Sequence, residues 1–507
     1  MTPNIPATLF PVAIVWRWVP LYTLIHILVF ALVVFHCLKT RREPTSAILW
    51  IFVAWAFPVL GALFYLSFGI NRIDAKAWLK QQADRELLEK RQVYTATEEP
   101  PLVYWEAVHT GGTATLPKTL ANQSNETMDA VLTDYPLLAG NAVQLLINGD
   151  EAYPAMLQAI ESAEQHIHLQ SFIIGNDCVG RRFLDALAEK AQEGVRVRVL
   201  FDRFGSTHAV LGGLFRKYRK VPNMQLIGWT QANPVKRQFQ INLRNHRKVL
   251  VVDGKTAFAG GINISDINTT DPGPLEVLDY HFALSGPIVQ ELQYSFLKDW
   301  YFMTDEKPGD LLTKAHFPAV DNAGQAYVRV VNSSPTNTEM GIVTDVFFSG
   351  IVSARKDLII LTPYFVPGPD ILQALRATAL RGVRVQLIVP KRNNHFYAGL
   401  AGKALYEELL AAGVTIYERK PPFIHAKAFV VDDTLAIIGT ANFDHRSLRL
   451  NYETNLAVYD QSFMYNVKRA LNAEIENSTP IDLATWRERP LHHRLAQNLC
   501  NLMTPIL

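Results

Sequence analysis

The stretch "NHRKVLVVDGKTAFAGGIN" (245–263) recurs in altered form as "IHAKAFVVDDTLAIIGTAN" (424–442). His246 and His425 open the shared pattern. Lysine follows two places on (Lys248, Lys427), then aspartate (Asp253, Asp432), glycine (Gly260, Gly439) and asparagine (Asn263, Asn442), at the same spacing in both copies. Each copy places apolar, β-branched runs on both sides of Asp-Gly or Asp-Asp. That pattern predicts two strands around a tight turn.

Strand residues two apart share a face, so each histidine and its lysine point the same way. The asparagine beyond the return strand comes back near them. A fixed cation and an amide donor beside an imidazole suit a phosphate. The imidazole can attack phosphorus or move a proton near neutral pH. Covalent phosphoryl transfer needs a nucleophile and a general acid/base, and one copy supplies only one histidine. Apposing the copies would put His246 and His425 in one cleft. Lys248, Lys427, Asn263 and Asn442 would then surround the phosphate and stabilise charge developing in the transition state. Asp253 and Asp432 sit at the turns and are as readily structural as catalytic. A histidine in this role wants a carboxylate to fix its tautomer. Downstream in each half one is available, Asp279 in "VLDYHFALSG" and Glu453 in "NYETNLAVY".

The duplication is wider than the motif. "VQLLING" (143–149) has a counterpart in "VRVVNSS" (328–334). "LAEKAQEGVRVRVLFD" matches "LRATALRGVRVQLIVP" as helix, glycine and strand, with Gly194 and Gly382 at the helix-closing position. Helices alternating with apolar strands imply an α/β fold built from βαβ units. Two halves, 141–322 and 323–507, make a molecule with pseudo-twofold symmetry.

Hydrophobic residues make up 49% of the 507 and charged residues only 19%, and the apolar excess sits at the front. No charge interrupts 18–38 or 47–68. Each run is long enough to cross about 30 Å of hydrocarbon as a helix. With "KTRREPTS" between them they predict a transmembrane hairpin within 1–75, followed by a charged helix and linker over 76–140. His26 and His36 have no partner carboxylate in either run and read as neutral. Counting basic residues favours a cytoplasmic body, while charge density in the connector points the other way. The net charge of +2 gives no overall field for nucleic acid, so no nucleic-acid partner is expected. Cys37, Cys178 and Cys500 are too scattered for a zinc site or a disulfide framework. The tail "RERPLHHRLAQNLCNLM" carries Leu491, Leu495, Leu499 and Leu502 at helical spacing. The leucine stripe either packs on its own domain or lies on anionic lipid.

The paired motif resembles the phospholipase D superfamily, whose signature is His-x-Lys-x4-Asp-x6-Gly-x2-Asn in two copies. The hairpin, "LTPYFVP" and "GTANFDHRSLRLNYE" are similar to the bacterial cardiolipin synthase branch. The resemblance implies two phospholipase D-like halves and phosphatidyl transfer between two phosphatidylglycerol molecules, through a phosphatidyl-histidine, with cardiolipin and glycerol as products. It implies His246 as nucleophile and His425 as acid/base. It implies no metal and no cofactor, a phospholipid bilayer as partner, and location in the bacterial inner membrane. The alternatives are hydrolysis of phospholipids to phosphatidic acid, or a nuclease of the same superfamily. Many members carry serine directly after the motif glycine. Here Gly261 and Thr440 stand there, so Thr440 can offer a hydroxyl to phosphate and Gly261 only backbone.

Overall fold

The computed structural model describes residues 12–40, 44–57, 59–69, 73–97, 114–117, 132–229, 243–335, 339–502 and 504. Most of the expected linker lies outside them. The chain divides into two compact units, residues 1–75 and 76–507.

In the first unit, Val12–Lys39 is one helix, and its Pro20–Lys39 portion is the one described helix long and apolar enough to cross a membrane. The second apolar run differs from the expectation of a single helix over 47–68. It forms a helix at Pro44–Ala56, a short helix at Leu60–Phe64 and a π turn at Tyr65–Gly69. The break brackets Pro58 in sequence, and proline lacks the N–H that an unbroken helix needs. Val59 takes a left-handed φ of 64°, which a helix cannot propagate. Tyr65 is buried among Val33, Cys37, Ala54 and Ala62. Its hydroxyl lies 2.6 Å from His36 Nδ1, so that ring is partnered by a neutral group.

The second unit is built on one 15-stranded sheet. The first half contributes β1 (Leu138–Ile147), β2 (His166–Ser171), β3 (Arg196–Asp202), β4 (Met224–Trp229), β5 (Val249–Val252), β6 (Thr256–Gly260), β7 (Val277–Leu278) and β8 (Tyr280–Ser285). The second contributes β9 (Ala326–Ser333), β10 (Asp357–Leu361), β11 (Phe365–Val366), β12 (Arg384–Pro390), β13 (Thr415–Arg419), β14 (Phe423–Ile424), β15 (Ala428–Val431), β16 (Leu435–Gly439), β17 (Phe443–Asp444), β18 (Glu453–Tyr459) and β19 (Ser478–Pro480). The order is β19-β13-β12-β10-β15-β16-β18-β9-β1-β8-β6-β5-β2-β3-β4. Reading outward from the β9–β1 seam, the two halves give corresponding strands for seven places, and the second half adds β19 at its outer edge. The repeat seen in the residues is therefore a repeat in topology.

Each half has its own apolar core. One gathers Leu169, Phe183, Leu187, Val199 and Leu250; the other gathers Phe347, Leu358, Leu387, Phe429 and Ile437. Burying a side chain of this size stabilises by about 1.5–3 kcal/mol, so each half has a substantial driving force of its own. Four of the nineteen described strands pair outside the main sheet as two short parallel pairs, β11 with β17 and, across the halves, β7 from the first with β14 from the second. The β7–β14 pairing lies immediately before His425 and Asp279.

Candidate active site

The paired motifs form the hairpins β5–β6 and β15–β16. Their turn residues Asp253 and Asp432 have φ of 52° and 49°, a conformation aspartate tolerates better than most residues. The Asp253 carboxylate accepts the backbone N–H groups of Glu164, Gln165 and His166, each at 2.8 Å. Asp432 does the same for Arg355 (3.0 Å), Lys356 (2.7 Å) and Asp357 (2.9 Å). Both aspartates were candidates for catalysis. The fold places them at the far end of β5 and β15 from the histidines, where they tie the hairpin turn to the entry of β2 and β10.

At the other end of each hairpin the two halves cross. The His246 N–H bonds to the Tyr452 carbonyl at 2.9 Å, and the His425 N–H bonds to the Leu278 carbonyl at 2.7 Å. The residue after each acceptor is an acid. His246 Nδ1 therefore lies 2.9 Å from the Glu453 carboxylate, and His425 Nδ1 lies 2.7 Å from that of Asp279. Each histidine is oriented by the opposite half, not by its own. A carboxylate on Nδ1 leaves Nε2 as the reactive nitrogen. The imidazole side chains keep 11% and 14% exposure while the carboxylates keep 0% and 1%, so the rings face the opening and the acids lie behind them.

Two cations complete the centre. Lys248 Nζ donates to the His246 carbonyl at 2.8 Å, and Lys427 Nζ lies 2.8 Å from His425 Nδ1 and 3.2 Å from Nε2. Burial pulls Lys248 down to about 7, with Lys427 adding to the effect, and burial pulls Lys427 down to about 8. Burial likewise lowers His246, and lowers His425 to about 4 with Lys427 beside it. Burial alone would raise Asp279 and Glu453. Lys427 and His425 outweigh it for Asp279, His246 outweighs it for Glu453, and both acids stay below the usual carboxylate range. The centre thus holds two ionised acids, two neutral imidazoles and two lysines whose charge is strained by burial. An anion entering it would restore both ammonium charges.

The remaining site residues divide. Asn263 Oδ1 accepts the Ile173 N–H at 3.1 Å. Asn442 Nδ2 donates to Ser447 Oγ at 3.3 Å, while its Oδ1 is buried without a hydrogen-bond partner among the described residues. Thr440 is fully buried, and its hydroxyl donates to Glu453 at 2.6 Å. It holds the acid that holds His246. Gly261 is the counterpart against Asp279. A Cβ there would lie 2.1 Å from Asp279 Oδ1, so the shorter acid occupies the space a side chain would need.

Several neighbours carry no motif. The Phe172 ring meets His246 edge-on at 4.9 Å, and Tyr364 meets His425 edge-on at 6.1 Å. Arg247, between the motif histidine and lysine, points away from the cleft. It donates to Asp299 at 3.0 Å and to the Glu453 carbonyl at 3.3 Å. The same Asp299 oxygen accepts from Gln170 at 2.8 Å and Asn245 at 2.9 Å. Lys80 approaches the other oxygen at 3.4 Å. Lys80 belongs to the helix Ile73–Thr97, which also pairs Arg91 with Glu291 at 2.7 Å. This charged helix is thereby tied to the residues flanking His246.

A family model described as cardiolipin synthase, phospholipase D-like domain, matches residues 156–300 and 348–475. Another, described as phospholipase D-nuclease N-terminal, matches residues 27–69. The cardiolipin synthase of Geobacillus kaustophilus is 34% identical over 473 residues, covering 92% of this chain and 90% of that protein. Cardiolipin synthase A of Pseudomonas aeruginosa is 34% identical over 477 residues, covering 93% of each. Among solved structures, phosphatidylserine synthase of Haemophilus influenzae superposes with a TM-score of 0.58 at 16% identity, covering 75% of this chain and 99% of that one. That likeness is one of fold.

Proposed function

We propose, from the premise that this chain belongs to the cardiolipin synthase family of phospholipase D-like proteins, that it transfers a phosphatidyl group between two phosphatidylglycerol molecules. The observation that carries the chemistry is the crossed pair of histidine–carboxylate contacts, which gives one centre two imidazoles in fixed orientation.

In this reading the phosphodiester anion settles between Lys248 and Lys427. Its charge offsets their burial and raises His425 toward the protonated form. His246 Nε2 attacks phosphorus, Glu453 stabilises the imidazolium-like charge that develops, and His425 gives its proton to the departing glycerol oxygen. The product of this half-reaction is a phosphatidyl-histidine. A hydroxyl of a second phosphatidylglycerol then gives its proton to His425 and attacks phosphorus. The phosphorus–nitrogen bond breaks, and cardiolipin leaves. One phosphodiester is made for each broken, so the exchange runs without an activated nucleotide. The assignment of His246 as nucleophile follows the superfamily resemblance, since the two centres are equivalent in kind.

The protein carries one described helix long and apolar enough to cross a membrane, and its substrates are membrane phospholipids. Residence in the bacterial cell membrane, with the second apolar run also in the bilayer and the body in the cytoplasm, is the finer form of the proposal.

The test is product analysis. Purified protein in vesicles of phosphatidylglycerol should yield cardiolipin and glycerol in equal amounts. Phosphatidic acid as the sole lipid product would replace the transferase reading with a hydrolase.

A further inference from the structure

The helix Leu491–Asn501 is packed inside out. Leu491, Leu495, Leu499 and the following Leu502 are 67%, 59%, 65% and 78% exposed, while Gln497 faces inward at 5%. The tail does not bury its leucine stripe on its own domain. Leaving several leucines in water forgoes favourable transfer free energy, which favours an apolar cover for this face.

Three observations identify what covers it. The first is continuity with the reaction centre. The helix packs on Phe396–Ala404, whose first residues Phe396 and Tyr397 are also exposed. The ring of His395, just before that helix, lies tilted against Tyr364 with centroids 5.6 Å apart, and Tyr364 meets His425. The helix that carries the apolar face is thus linked through packed residues to the side of the centre that Tyr364 borders. The second is charge. Arg494 is exposed on the helix, while Arg487 is held by Glu407 at 3.2 Å and Arg489 lies over Trp486, and Lys391 and Arg392 line a cavity of about 380 Å³ beside Phe396. The third is amphipathic shape, a leucine ridge flanked by cations, which is the form of a helix lying in a bilayer interface.

We propose that this face of the second half rests on an anionic bilayer, with the leucine ridge and Phe396 in the acyl boundary and Arg494, Lys391 and Arg392 at the phosphates. The inference rests on the reading of the substrate as a membrane phospholipid. It adds a route. A headgroup can reach His425 past Tyr364 while its acyl chains stay in the leaflet.

The experiment uses the full chain in phosphatidylglycerol-containing vesicles. A nitroxide is placed at Leu495→Cys, and separately at Leu499→Cys, with Cys37→Ala, Cys178→Ser and Cys500→Ser. The expected result is relaxation by dissolved oxygen and protection from a water-soluble nickel chelate. Exposure to nickel would overturn the proposal. So would exclusion of both reagents, which would mean a protein contact such as a second copy. In a second arm, Leu495→Asp with Leu499→Asp should slow turnover of vesicle lipid by about tenfold or more. Turnover of monomeric short-chain phosphatidylglycerol should stay within about twofold. Equal loss on both would refute the proposal. A lipid-exposed label on a protein that makes no cardiolipin would instead count against the proposed reaction alone.

Discussion

His246 Nδ1 and the Glu453 carboxylate meet at 2.9 Å although 207 positions separate them and they lie in different halves. The mirror contact joins His425 to Asp279. Neither half can complete its own histidine. This reciprocity gives a physical reason for keeping both copies in one chain, beyond supplying two imidazoles.

Glu453→Gln should therefore behave as a His246 lesion. The amide keeps the shape but can present N–H to Nδ1, which favours the wrong tautomer. A loss of about 10³–10⁴ in kcat is expected, the scale seen when a triad acid is made neutral. Acid-quench trapping of radiolabelled phosphatidyl-enzyme reports the step affected. Trapping should be lost in His246→Ala and sharply slowed in Glu453→Gln. Trapping that survives His246→Ala but not His425→Ala would reverse the roles.

Gly261 and Thr440 form a second crossed comparison. Thr440 leaves room for the longer acid and bonds to it; Gly261 makes room for the shorter one. Gly261→Ala should press on the Asp279 carboxylate, displace His425 and cost about tenfold or more in kcat, since a small misplacement of a reacting group is expensive. Pairing Gly261→Thr with Asp279→Glu copies the second half and should recover much of that loss. Failure of the pair to improve on Gly261→Thr alone would mean the two positions are not coupled.

The duplication, the two hairpins and the histidine–lysine faces were legible because they depend on spacing and on a period of two. Which acid meets which histidine was not, because β7–β14 pairing is non-local and either acid sits equally near its own motif in sequence. Hydropathy reads 47–68 as one span because no charge interrupts it, and hydropathy is blind to the N–H that Pro58 lacks. Residues 70–95 read as an amphipathic, charged helix leading off the membrane, which leaves its cations without named partners. Lys80 and Arg91 are nonetheless buried, since Asp299 and Glu291 wait on the helix Ile288–Met303 to pair them.

That buried pairing makes Asp299 a stability determinant. Asp299→Ala would remove the main acceptor of Arg247, which keeps only Glu339 at 3.9 Å, and one of two carboxylates at Lys80, which keeps Asp84, a loss toward the lower end of about 3–5 kcal/mol. Thermal unfolding in detergent should show a fall of several degrees. Asp299→Asn should lose less, because the amide oxygen can still accept from Arg247. Activity should fall as well, through Arg247 and Asn245 on either side of His246, and the kcat effect should exceed the KM effect.

The lowered lysines give opposite pH trends for two measurements. Lys248 titrates near 7 in the empty folded protein, far below its unfolded value. Between about pH 7 and 10 the unfolded state binds more protons, so the Lys248 contribution makes the empty enzyme more stable as pH rises. Substrate capture needs the ammonium form and should weaken over the same range. The expected kcat/KM profile falls on the alkaline side with an apparent pKa between about 7 and 8. Lys248→Arg should move that limb upward, since guanidinium stays charged. A limb that does not move with Lys248→Arg or Lys427→Arg would assign the alkaline loss to another group.

We propose that Asp253 acts through the fold and not at the phosphate. Its carboxylate accepts three backbone N–H groups at the mouth of β2 and sits at a left-handed turn position. Asp253→Ala removes those acceptors and places alanine at positive φ, so about 2–4 kcal/mol of stability should be lost. The protein that remains folded should keep kcat within about threefold, because the aspartate lies a full strand away from the histidines. Asp253→Asn, which tolerates the turn and retains one acceptor oxygen, should be intermediate in stability. The two readouts are Tm and kcat normalised to active sites titrated by phosphatidyl-enzyme trapping. A hundredfold loss of normalised kcat with Tm unchanged would return Asp253 to the catalytic set.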